Sequence, residues 1–336
     1  MRKLGLLLAL EAMLFTAAPP AHARPTMQPV ILATIPVSSS PAGVAVDDAS
    51  KTVYVANNGS NNVAAIDDRE GKVMATLAAG ACPTLDAVIL DLHRLYVNNA
   101  CDQSVSVFDT RDRSTVATIT GLNDVPAGIA ANALTQRVYV GGEVNDTLTV
   151  IDARTNTVLS NLSLGPGIQR GVAVNPRTNR IYVANSTANQ VVVIDGYTNS
   201  IMSRIAVGAR PRFMAVSETQ NRIYVPNFAG GTISVIDGAS NVVSATLSVP
   251  AGQSPWMATL DEQTGHLFVT ELLGDSVTVF DTATNSIISN LRTVAHPIFS
   301  ALDPVTRRVY VSHGAGFFPG LDTVTVIQDS TDDDLD

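Results

Sequence analysis

The sequence predicts an all-β chain folded as a seven-bladed β-propeller with four antiparallel strands per blade. Three observations predict it. A short motif recurs, as Val53-Tyr54-Val55-Ala56-Asn57, Leu95-Tyr96-Val97-Asn98-Asn99, Val138-Tyr139-Val140-Gly141-Gly142 and Ile181-Tyr182-Val183-Ala184-Asn185. It continues as Ile223-Tyr224-Val225-Pro226-Asn227, Leu267-Phe268-Val269-Thr270-Glu271 and Val309-Tyr310-Val311-Ser312-His313. The aromatics at 54, 96, 139, 182, 224, 268 and 310 stand 42, 43, 43, 42, 44 and 42 residues apart. A second ruler keeps step with the first: Asp67, Asp109, Asp152, Asp195, Asp237 and Asp281 each follow their aromatic by 13 residues. Finally, each unit holds four short β-branched runs bounded by Gly, Pro, Asn and Asp, with no room for a helix. Four strands in about 43 residues is one propeller blade, and closing seven of them protects the sheet edges.

The elements follow in order. In the fourth unit, 172–174 precedes a polar turn at 175–180, then come strands at 181–184 and 191–194, a turn at 195–199 and a strand at 201–207. Outer strands are legible at 73–79, 115–120, 157–164, 200–207, 242–249 and 286–293, which makes six. The last unit ends at Gln328 without one, while Val30-Ile31-Leu32-Ala33-Thr34-Ile35-Pro36 has the outer-strand pattern and no unit before it. The N-terminal strand is therefore expected to complete blade 7.

Flanking segments read differently. Arg2 and Lys3, an apolar run over 4–15 broken by Glu11, and Ala21-His22-Ala23 have the order of a signal peptide at 1–23. That run is short for a membrane span, and no later segment is long enough for one. The propeller is expected over 24–328, with the aspartate-rich 329–336 as a solvated, disordered tail. A periplasmic or secreted chain is expected, and with it a disulfide between Cys82 and Cys101. These two cysteines fall in the segment leading into blade 2 and in that blade's loop after the motif. The chain is read as a monomer.

The repeats resemble those of the YVTN family of seven-bladed propellers, whose Tyr-Val-Thr-Asn core stands here as Tyr-Val-Ala-Asn at 54–57 and 182–185. The resemblance spans about 30–328. It implies an extracellular, periplasmic or surface-layer setting, and several members are binding modules. One periplasmic branch binds single-stranded DNA. It implies no single reaction.

Function is sought on one face. Turns such as Asn175-Pro176-Arg177-Thr178 and the stretch from Asp152 to Asn156 repeat around one face, where Asp and Asn cap the local backbone. The other face is irregular, and irregular loops on a rigid scaffold are where binding sits. There Pro41, Pro83, Pro126, Pro211, Pro255 and Pro297, with Gln169 in the fourth unit, precede a position expected to line the mouth of the central channel. That position reads Ala42, Thr84, Ala127, Arg170, Arg212, Trp256 and Ile298. Arg170, Arg212 and Trp256, with Arg210 and Phe213 beside them, suit an anionic or planar ligand through bidentate hydrogen bonds and stacking. The plainer alternative pairs the arginines with acids such as Glu143 and packs Trp256 between blades.

His296 and His313, with Asp322 or Glu271, could hold a divalent metal. Solvated or hydrogen-bonded histidines are the plainer account, and no cofactor is required. The last unit is five residues longer than the others after its aromatic, an insertion running from His313 to Asp322. No His-Glu-x-x-His, Gly-x-Ser-x-Gly or Walker loop is present. The leading reading is thus a non-catalytic propeller that binds a protein, a glycan or a small anion on its irregular face. A metal-dependent hydrolase or lyase is the second reading. Single-stranded DNA binding through Arg170, Arg210, Arg212 and Trp256 is the third, and the net charge of −9 argues against it.

Overall fold

A computed structural model describes residues 28–314 and 320–329. The signal segment 1–23, the centre of the blade 7 insertion and residues 330–336 lie outside the described residues. Seven four-stranded antiparallel sheets form the ring. Blade 1 is built from Pro41–Asp47, Thr52–Asn57, Asn62–Asp67 and Lys72–Ala78, from the channel outward. Blade 7 runs Pro297–Asp303, Arg308–His313 and Thr323–Gln328, and its outer strand is Val30–Pro36, antiparallel to Thr323–Gln328. Both ends of the chain thus share one sheet, and the ring is closed by hydrogen bonds between them.

The repeated aromatic explains the blade packing. Tyr54, Tyr96, Tyr139, Tyr182, Tyr224, Phe268 and Tyr310 are each at most 1% exposed, wedged between successive sheets. Several also tie blade to blade at the hydroxyl. Tyr54 donates to the Thr110 carbonyl at 3.3 Å and Tyr96 to that of Ala153 at 2.9 Å. Tyr310 donates to Asp68 across the closing seam.

Phe268 has no hydroxyl, and here the sequence reading of the tail needs correction. Asp329 is fully buried, with the His266 Nδ1 at 2.7 Å, the Thr264 Oγ1 at 2.8 Å and the Arg307 guanidinium at 3.4 Å. The residue assigned to a solvated end is a bracket between blades 6 and 7. A carboxylate placed among an imidazole, a guanidinium and a hydroxyl donor stays with the fold.

The turn-face aspartates cap backbone, as expected. Asp195 Oδ1 accepts from Tyr197 N at 2.8 Å and Thr198 N at 2.9 Å, and Asp237 repeats this with Ala239 and Ser240. Those donors hold both carboxyls below the usual carboxylate range. On the other face Cys82 and Cys101 are joined in a disulfide with Cα atoms 5.4 Å apart and a separation of 19 residues. In the chain-entropy account such a closure contributes about 3 kcal/mol.

Candidate functional site at the channel mouth

The inner strands begin where the Pro positions stand, at Pro41, Pro83, Pro126, Gln169, Pro255 and Pro297. Blade 5 departs from this. Its regular inner strand shrinks to Ala215–Ser217, while Phe213 turns from its own sheet to the neighbouring blade. Phe213 N donates to the Trp256 carbonyl at 3.2 Å and Ala258 N donates back to the Phe213 carbonyl at 3.0 Å, a parallel bridge to the inner strand of blade 6. Gly171 makes room for this on the blade 4 side, since a Cβ there would overlap the Arg212 carbonyl oxygen.

The bend shapes a cavity of about 320 Å³ at the mouth of the channel. Ala42, Thr84, Ala127, Arg170 and Trp256 line it, which are five of the seven mouth positions read from the repeat. Blades 5 and 7 contribute Phe213 and Phe299, one residue further on, in place of Arg212 and Ile298. Cys82 and Cys101 form part of the rim, so the disulfide braces the site. Phe213 meets Phe299 edge-on at 4.9 Å between centroids and Trp256 at 5.9 Å. These rings form an aromatic wall that lines the cavity together with Arg170, which pairs with Glu143.

Arg212 lies on the far side of that wall. It is 8% exposed, with its guanidinium carbon 4.6 Å from the Trp256 ring centroid and 5.1 Å from that of Phe228. Phe228 also meets Trp256 edge-on at 5.5 Å. Unlike the Ala that stands at this position in other blades, Arg212 thus packs against two aromatic rings. Burial, and then the charges of Arg170 and Arg210, pull its pKa down to about 10. Arg210 is exposed, in the left-handed region at φ 56°, with its backbone N–H donated to Asn189 Oδ1 at 2.8 Å. Trp256 is 5% exposed, so most of its surface is already covered by the protein.

The four candidate metal ligands are placed elsewhere and differently. His313 and Glu271 occupy the last motif position, where Asn57, Asn99, Asn185 and Asn227 stand in other blades. Asn99 Nδ2 donates to Ser104 Oγ at 3.0 Å and Ser106 Oγ at 2.9 Å, tying second strand to third, and Asn227 does the same with Thr232 and Ser234. His313 repeats this brace: its Nε2 is 2.8 Å from Thr325 Oγ1 and its Nδ1 is 3.1 Å from the Ala295 carbonyl. Both ring nitrogens are engaged, and burial pulls the pKa to about 4, so the ring is neutral.

Glu271 is fully buried and burial pushes its carboxyl up to about 8. His296 Nδ1 lies 3.0 Å from the Leu272 carbonyl and 3.8 Å from Asp275 Oδ1, and Asp322 Oδ1 accepts from Ser40 N at 2.9 Å. Among the described residues no three His, Cys, Asp or Glu side chains form a group that could hold a metal.

Two groups escaped the sequence reading. Phe228 completes the arginine box, and nothing in the repeat sets it apart from other loop residues. Asp86, on the inner strand Pro83–Ile89, keeps both carboxylate oxygens shielded from solvent without a hydrogen-bond partner, and burial raises it well above the usual range. That signal was available, since the matching residues elsewhere are Val44, Ile129, Val172, Met214, Ala258 and Ser300.

No family model and no curated protein matches the chain. Solved structures do. The chain resembles hydrazine synthase of Kuenenia stuttgartiensis with a TM-score of 0.79 at 19% identity, covering 87% of this chain and 96% of that one. At this identity the likeness shows the propeller fold alone. Among the described residues no helix is long and apolar enough to cross a membrane.

Proposed function

We propose that this protein is a secreted or periplasmic binding module of the YVTN kind, non-catalytic, that takes a small anionic ligand at the mouth of its channel. One observation carries the reading: the cavity of about 320 Å³ is assembled from separate blades and lined by an aromatic wall of Phe213, Trp256 and Phe299 together with Arg170. A flat or apolar ligand body suits the wall, and a negative group suits the arginine. The disulfide supports an oxidising compartment.

A panel of small aromatic and sugar acids tests it, read by thermal shift and calorimetry on the wild type and on Ala127→Leu, which narrows the cavity. The expected result is at least one ligand that raises the melting temperature and loses its affinity in Ala127→Leu. A panel without a binder, or binding indifferent to that substitution, overturns the reading.

A further inference from the structure

A second cavity, of about 510 Å³, opens between blades 4 and 5, and Arg170, Arg210 and Arg212 all line it, with Ser186, Thr187 and Asn189. Glu143 is the one carboxylate ion-paired with any of the three arginines among the described residues. Three cations against one anion leave an excess of two positive charges, in a chain whose net charge is −9. The Arg212 charge is not that of a loose surface side chain. Arg212 is 8% exposed, its guanidinium donates to Ser186 Oγ at 3.4 Å, and its Nε has no hydrogen-bond partner.

Trp256 and Phe228 both lie against that guanidinium, and Arg212 also lines the cavity. Thr187 Oγ1 accepts from Ile168 N at 3.3 Å, so its own proton remains to be donated. Burying like charges together is costly unless something balances them.

We propose that this cavity binds a compact tetrahedral oxyanion of two charges: free phosphate or sulfate, or the phosphate monoester of a larger molecule. Two charges balance the excess that a single carboxylate would leave half met. The planar forks of the arginines match tetrahedral oxygens in pairs. Arg170 lines both this cavity and the mouth. An esterified oxyanion held here therefore extends its organic part past Arg170 towards the aromatic wall. In that form the inference rests on the mouth reading and names its ligand class, whereas binding of the free ion does not need that reading.

Calorimetric titration at constant ionic strength with sodium phosphate, sodium sulfate, phenyl phosphate and sodium acetate tests the proposal. Phosphate or sulfate should saturate, acetate should bind at least about tenfold more weakly, and Arg210→Ala should weaken the dianions about tenfold. Because Arg210 is exposed, that variant should melt like the wild type. Tighter binding of phenyl phosphate than of phosphate, lost in Ala127→Leu, identifies the monoester as the source; equal binding identifies the free ion. Failure of both dianions to saturate, or an Arg210→Ala protein that titrates like the wild type, overturns the inference. An acid from the mouth panel that still binds in that case leaves the mouth reading standing, so the two failures are separable.

Discussion

On one face of the ring Asp195 and Asp237 each turn a carboxylate back onto two backbone N–H groups of their own turn. On the other face Arg170, Arg210 and Arg212 crowd one cavity with a single carboxylate paired among them. Both faces carry charge on the same scaffold. On the first, these two charges are answered within a few residues, so the turn closes on itself and can be repeated in blade after blade. On the second the charges come from different blades and answer each other badly. A self-satisfied turn serves folding, whereas an unanswered cluster held rigidly by neighbours is available to a ligand.

Three changes sharpen that contrast, in falling order of effect. Deleting residues 24–37 removes the outer strand of blade 7, Val30–Pro36, and unpairs Thr323–Gln328, so the ring that supports both faces opens. The melting temperature should drop by more than about 10 °C, or the transition should lose its cooperativity. An unchanged two-state melt would show that the closing strand is dispensable.

Next comes Glu271, whose carboxyl is raised from 4.5 to about 8 in the fold. The unfolded chain gives up this proton above about pH 4.5 and the folded one holds it to about pH 8, so the folded state binds more protons between these values. Stability should therefore fall as pH rises through that window. Glu271→Gln should remove its share of the slope and gain on the order of 2 kcal/mol at the alkaline end. Parallel stability–pH curves for the two proteins, from urea denaturation, would contradict this.

Smallest is Asp237→Ala, which strips two backbone donors of their acceptor in an exposed turn where water can replace it. A loss of about 1 kcal/mol or less is expected, with ligand binding on the opposite face untouched. Altered ligand affinity in this variant would break the separation between the faces.

Much of this architecture was legible before any coordinates. The aromatic ruler marked all seven blades and the Asp ruler six of them, the orphan strand at the N-terminus found its place in blade 7, and the register brought Cys82 and Cys101 together. The site was only half legible. The mouth positions were named in five of seven blades, and the two exceptions, Phe213 and Phe299, each lie one residue on.

His313 and Glu271 were offered as metal candidates, although the ruler also assigned them a place in the blade. They stand three residues after their aromatic, where Asn57, Asn99 and Asn227 brace the third strand of their blades. Asp329 was assigned to the tail on composition, yet it follows Gln328 as Asp68 follows Asp67, at the position that receives the neighbouring blade.

The sequence alone determined what repeats, because a strand's alternation, a turn's cap and a blade's length are local demands that each unit must meet again. It determined the closure and the disulfide too, since both follow from counting along a fixed period. Tertiary structure decided what does not repeat. The bend at Phe213, the box of Trp256 and Phe228 around Arg212, and the sharing of Arg170 by two cavities all depend on side chains from different blades meeting. Such meetings are set by packing across the ring, where one strand that leaves its sheet redirects its neighbours' side chains, and no local period records that.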